Sequence, residues 1–136
     1  MVPAMRPNGR LGGSNEGKAS FSVLVRVRVG SDVLLGPGKV ALLEQIEACG
    51  SISAAARAIG MSYRQAWFLV STLNRVLRRP VVRTATGGRR GGGTALTPTG
   101  LRLVAAFRRI ERRAERALEG EKTTLRRLLR ETPPRA

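Results

Sequence analysis

Arg64 and Gln65 stand side by side just after Ser62, at the head of a segment with helical periodicity. A guanidinium can bond both acceptors of a guanine edge, and a side-chain amide can pair with the donor and acceptor of adenine. Phe68, Thr72 and Arg75 recur on the same outer face of that segment. Phe68 is unusual there, because an aromatic ring on an exposed face needs something to touch. A thymine methyl group and the underside of a neighbouring hairpin both suit it, and the sequence leaves the two open. Ser51 and Ser62 head two consecutive helical segments, where free backbone N–H groups favour phosphate oxygens. The chemistry these residue types offer is recognition of an anionic, base-bearing polymer.

A second candidate is the stretch TATGGRRGGGTALT, residues 84–97, with five glycines around Arg89 and Arg90. A phosphate cradle would need the pattern G-x-x-x-x-G-K-[ST] and a helix directly after it. Gly87 and Gly92 have the spacing, but Gly93 stands where the lysine must be, and strand-like residues follow. No G-x-G-x-x-G register is present either. Strand-like flanks also argue against a plain linker. A basic finger remains, with Thr86, Gly87, Gly88, Arg89 and Arg90 at its tip.

The inventory of other groups narrows the class. There is no histidine, one cysteine (Cys49) and a single aspartate, Asp32, among 136 residues. A Ser-His-Asp or Cys-His arrangement and a histidine-based metal site cannot be assembled from this chain. An enzyme is not expected, nor is a cofactor. Charge points the other way. Lys and Arg number 25 against nine acids, a net charge of +16. Between Ala48 and Ile110 there are eleven arginines and no acid. A GC-rich genome would explain Arg in place of Lys, but not the missing acids. A field of one sign attracts polyanions. Nucleic acid is the first partner it suggests (double-stranded DNA once a helix-turn-helix pattern is added), and an anionic membrane surface the second. No segment is apolar enough to span a bilayer and no secretory leader is visible at the start, so a cytoplasmic location is expected. The lone cysteine agrees with a reducing compartment.

Those groups must be positioned by a small fold. Residues 1–19, rich in Gly, Pro, Asn and Ser, read as a disordered arm. In FSVLVRVRV the odd residues Phe21 to Val29 are apolar, a period of two that predicts a strand. GSDVLLGPG reads as a connection. KVALLEQIEAC predicts a first helix, with Val40, Leu43, Ile46 and Glu47 on one face and Cys49 as a small buried group. SISAAARAI predicts a second, short helix, capped by Ser51 or Ser53 and closed by Gly60. Ser62 and Gln65 have capping-box spacing, and SYRQAWFLVSTLNRVLRR predicts a third helix stopped by Pro80. Ala66, Trp67, Val70, Leu73 and Leu77 form its expected inner face. VVRT and TALT predict strands either side of the glycine loop. A last long helix starts at Pro98 with Thr97 as cap. In it Leu103, Phe107, Ile110, Ala114 and Ala117 form a heptad-like stripe suited to a partner helix. A further amphipathic piece follows Gly120, and residues 132–136 are tail.

Two short helices joined by IGMS form a helix-turn-helix pattern. Strand, three helices, strand, loop, strand and helix together give a winged helix. The expected fold class is mainly α with a small β-sheet, a winged helix-turn-helix over residues 20–131 with a long C-terminal dimerisation helix.

GSISAAARAIGMSYRQAWFLVSTLN and TATGGRRGGGTALTPTG closely resemble the N-terminal DNA-binding domain of the bacterial molybdate-responsive regulators, the ModE family. The shared pieces are G-S-I-S with alanines, S-Y-x-x-A-W, A-T-G-G-x-x-G-G-G and L-T-x-x-G. The likeness runs from about Val23 to about Leu118. More distantly the chain resembles the LysR-type winged helix. The resemblance implies a homodimer that binds a palindromic operator, mostly as a repressor of molybdate-uptake genes. By position, Ser62, Tyr63, Arg64 and Gln65 would open the recognition helix, and Thr86 to Gly93 would be the wing. The N-terminal strand, with Val25 and Val27, and the helix from Pro98 would build the dimer. Family members continue into a β-rich molybdate-binding domain that has no counterpart up to Ala136. Regulation without that ligand, or sensing by a separate molybdate-binding partner, is the corresponding expectation.

Two rivals remain. A sequence-tolerant architectural DNA binder would account for the charge alone. An adaptor would use the long helix to pair with a molybdate-sensing protein.

Overall fold

The computed structural model describes residues 20–85 and 93–129. The expected disordered arm, the wing tip and the tail lie outside the described residues. Nine elements follow in order: β1 (Val27–Val29), β2 (Asp32–Leu35), α1 (Pro37–Cys49), α2 (Ile52–Ile59), α3 (Tyr63–Val76), β3 (Val82–Thr84), β4 (Thr94–Leu96), α4 (Pro98–Ala117) and α5 (Glu119–Leu128). The described residues are mainly helical, with two small antiparallel hairpins among them, β1–β2 and β3–β4.

α1 is the hub, packing against α2, β4 and α4. Val40, Leu42, Leu43 and Ile46 of α1 are all buried. Ala55 and Ala56 let α2 approach closely, as the run of alanines predicts, and Ala66, Val70 and Leu73 of α3 complete the three-helix core. Val81, Val82 and Leu96 close one end, and Phe107 of α4 enters at 0% exposure.

Several expectations need correction. The stretch taken as a connection after β1 contains a strand, β2, which pairs with β1 through Val29 and Asp32. Gly30, with φ +63, and Ser31 form the two-residue turn between them. A glycine at the first turn position matches the right-handed twist of a hairpin. Only Val27–Val29 belongs to the ladder, yet the alternation of half-buried and exposed residues begins at Phe21. That extended lead-in lies against α4: the Val23 N–H donates to Glu115 Oε1 at 3.1 Å. Arg126 of α5 stacks over the Phe21 ring, 5.7 Å from its centroid.

Cys49 is exposed rather than buried, and its thiol donates to Gln45 one turn earlier on the solvent side of α1. α3 ends at Val76, before Pro80; Leu77 already has extended backbone, with ψ 151. The Pro80 carbonyl instead accepts a hydrogen bond from the Thr97 hydroxyl at 2.6 Å. Gly120 lies inside α5 rather than before it, since the break comes at Leu118.

Ion pairs tie the periphery down. Arg108 of α4 bridges Glu44 of α1 and Glu111, and the Glu44 hydrogen bond holds the guanidinium pKa above its ordinary value. Lys122 of α5 is bonded by Glu115 and by Glu119, and the Glu115 bond raises its pKa.

Gly100 shows why the L-T-x-x-G piece ends as it does. A Cβ there would lie 2.2 Å from the Val81 carbonyl oxygen and 3.1 Å from its carbon. That carbonyl is held in place by the Thr97 N–H at 3.0 Å, so it cannot swing away freely. Gly100→Ala is expected to cost about 1–3 kcal/mol of stability, as for other overpacked sites. A thermal melt unchanged from the parent would contradict this close approach.

Candidate nucleic-acid interface

The local sequence sets α2 and α3 in place. Ser51 accepts a hydrogen bond from Ala54 N–H at 3.0 Å, and Ser62 accepts one from Gln65 N–H at 3.1 Å. Each hydroxyl satisfies one of the N–H groups that a helix start leaves without an intrahelical partner. Ser51, not Ser53, is the cap of α2. Gly60 ends α2 with φ +71, a left-handed value that a Cβ would disfavour. Its neighbour Met61 donates N–H to the Ala56 carbonyl at 2.9 Å and packs against the core. The turn is therefore tight at both ends, and it fixes how α3 leaves α2. Ser62→Ala should cost about 1 kcal/mol, the usual loss for a removed cap. Urea unfolding measures it, and an unaltered midpoint would show the cap to be idle.

α3 buries one stripe and presents the opposite one. Arg64, Phe68 and Arg75 are exposed and share an arc of about 40° on the helical wheel. Phe68 is 65% exposed, so no described part of the β3–β4 hairpin covers it. Gln65 is exposed on one flank of that arc. Thr72 is half-buried, and its hydroxyl donates to the Phe68 carbonyl at 2.8 Å, which leaves only its acceptor capacity. Trp67 does not join the inner face as expected. It is 44% exposed, because one step round the helix from Ala66 carries it out of the groove against α2. Its indole N–H donates to the hydroxyl of Tyr63, one turn earlier. Tyr63 is exposed as well. The other flank of α3 thus carries a linked aromatic pair, a feature that the inner-face reading of Trp67 concealed; the i, i+4 spacing of Tyr63 and Trp67 is its signal.

The β3–β4 hairpin rises from the same core. Val82 pairs with Leu96, Arg83 with Ala95 and Thr84 with Thr94, and the Ala85 N–H reaches the Gly93 carbonyl at 2.8 Å. Its base is anchored to the end of α1: Thr94 N–H donates to the Gly50 carbonyl, and Leu96 N–H to Glu47 Oε2, both at 2.8 Å. Glu47 therefore caps the free edge of β4 instead of facing the core. Arg83 is exposed on β3. Thr86, Gly87, Gly88, Arg89 and Arg90 lie outside the described residues.

Electrostatics follow from composition. Arg57, Arg64, Arg75, Arg78, Arg79 and Arg83 are exposed, and none has an ion-pair partner among the described residues. Among the described residues no cluster of three or more acids and cysteines is placed to hold a metal ion.

The stripe intended for a partner helix divides. Phe107 is a correction: it is fully buried in the chain's own core and has no surface left for a partner. Leu103, Val25 and Val27 are half-buried against the same core. Ile110 and Ala117 are exposed, and Ala114 is half-buried. Leu118, Leu125, Leu128 and Leu129 extend an exposed apolar edge along α5. No helix among the described residues is long and apolar enough to cross a membrane.

No family model matches the chain. It is 46% identical over 100 residues to the "Molybdenum-pterin-binding protein MopB" of Rhodobacter capsulatus, a match covering 74% of this chain and 36% of that protein. It is 37% identical over 95 residues to the "Transcriptional regulator ModE" of Haemophilus influenzae, covering 70% of this chain and 37% of the relative. It is 34% identical over 85 residues to the "DNA-binding transcriptional dual regulator ModE" of Escherichia coli, covering 62% and 32%. The chain thus spans about a third of the length of the curated relatives it matches, and in that span it is similar to transcriptional regulators and a molybdenum-pterin-binding protein.

Proposed function

We propose that this chain belongs to the ModE family and is the DNA-binding part of a transcriptional regulator linked to molybdenum metabolism. The fold is read as a winged helix-turn-helix. α3 is the recognition helix and enters the major groove with Arg64, Gln65 and Phe68 towards base edges. The β3–β4 hairpin is the wing, whose Arg89 and Arg90 meet the backbone or minor groove. Arg75 and the N-termini at Ser51 and Ser62 meet phosphates. Tyr63 opens the recognition helix, and Thr72 backs it. The observation that carries this reading is the Arg64–Phe68–Arg75 face of α3, exposed and free of acids, on a helix fixed by a tight turn.

One recognition helix reads few base pairs, so the active species is proposed to be a homodimer. Its seam uses Ile110, Ala114, Ala117 and the apolar edge of α5. Two-fold symmetry then sets half-sites one helical turn apart, ~34 Å centre to centre. Repression of molybdate-uptake genes is the proposed outcome.

Competition titration at fixed salt tests the function. The operator, found by genomic site mapping with and without molybdate, should be preferred over random duplex by on the order of 10³ or more. A ratio near one would instead favour a sequence-tolerant architectural binder, which the net charge of +16 also accommodates.

A further inference from the structure

We infer that the solvent face of α4 is a second DNA-binding surface, which grips the phosphate backbone of a duplex independently of α3. It rests on the DNA-binding reading above and extends it to a part of the molecule with no recognition role.

Arg102, Arg109, Arg112, Arg113 and Arg116 are all exposed. At about 100° per residue they fall within an arc of about 100°, opposite buried Phe107. Over 14 residues the stripe is ~21 Å long. Acids spaced three or four residues away would stabilise such a face, whereas like charges at those spacings repel. Here Arg109 has Arg112 and Arg113 as its neighbours, and Arg116 has the same two. Glu115, three residues after Arg112, and Glu119, three after Arg116, are the acids at that spacing, and both are bonded to Lys122. Glu111 is bonded to Arg108, and Glu115 also to the Val23 N–H. None of the five arginines has an ion-pair partner among the described residues. A helix face that accepts this repulsion is suited to a partner of opposite and dense charge.

Duplex DNA fits that requirement. Counting both strands it carries one charge per ~1.7 Å of axis, so ~21 Å of duplex holds about a dozen phosphates, and a helix along one side meets a share of them. Guanidinium groups bond phosphate oxygens bidentately. A second copy of the same stripe would set like charges against each other, so this face is not the dimer seam. α4 packs on α1 and β4, whereas α3 packs on α2, so the two cationic faces are carried by helices held by different neighbours. DNA flanking the recognised site, or a second duplex, would reach α4.

The test is the salt dependence of binding to a random duplex, compared between the full chain and Arg109→Gln/Arg112→Gln/Arg116→Gln. Each lost phosphate contact lowers the slope of log Kobs against log salt by ~0.9, so a drop of about 2–3 is expected. The corresponding triple Arg→Lys variant should keep the parental slope. Circular dichroism confirms that both variants are folded. A parental slope in the folded glutamine variant overturns the inference while leaving α3 binding intact. Failure of the parent chain to bind any duplex removes the DNA-binding reading itself, and this inference with it.

Discussion

Phe107→Ala lowers the free energy of unfolding by about 3–5 kcal/mol, the cost of emptying a large aromatic site in a packed core. The ring is wholly enclosed by the cluster that joins α1, α2, α3 and the hairpin base. Small domains are stable by only about 5–15 kcal/mol in total, so the variant stands near the edge of folding. Urea unfolding gives the magnitude. The comparison with Ile110→Ala gives the meaning. Ile110 is 41% exposed on the same stripe, and its loss should weaken self-association in light scattering while costing little stability. If Phe107→Ala dissociated a dimer and left the protomer stable, the core assignment would be wrong.

Arg64→Ala lowers the preference for operator over random duplex by roughly 5–150-fold, the loss of one bidentate base contact worth about 1–3 kcal/mol. Its side chain is exposed and unpaired among the described residues, so stability should change by no more than about 0.5 kcal/mol. A phosphate contact behaves differently. Arg89→Ala should weaken operator and random DNA alike and reduce the salt slope by about 1. Equal losses on both DNAs for Arg64→Ala would move that residue from base reading to backbone positioning.

Much of the helical frame was legible in the chain because it is set by local chemistry. Ser62 and Thr97 cap the helices they were expected to cap, and Ser51 proves to be the one of the two serines offered that caps α2, since an N-cap needs only a side-chain oxygen three residues before a free N–H. The alternation from Phe21 likewise appears as alternating burial. The second strand of the first hairpin was hidden for a local reason too: Gly30 and the Gly36–Pro37 pair punctuate a four-residue strand closely enough to look like one loop.

What the sequence by itself determined is therefore charge, caps, the turn from α2 to α3 and the exposed Arg64, Gln65, Phe68 and Arg75 of α3. These depend on neighbours within a helical turn, or on composition summed along the chain. The tertiary structure alone decided which apolar residues are core and which are available to a partner. Periodicity gives Phe107 and Ile110 the same stripe and Trp67 the same side as Ala66. Where α1 and α2 lie in space then buries Phe107 and Ala66, and leaves Ile110 and Trp67 at the surface. Long-range packing also fixes Gly100 against Val81 and lays Glu47 on Leu96, because those contacts join residues that are distant in sequence.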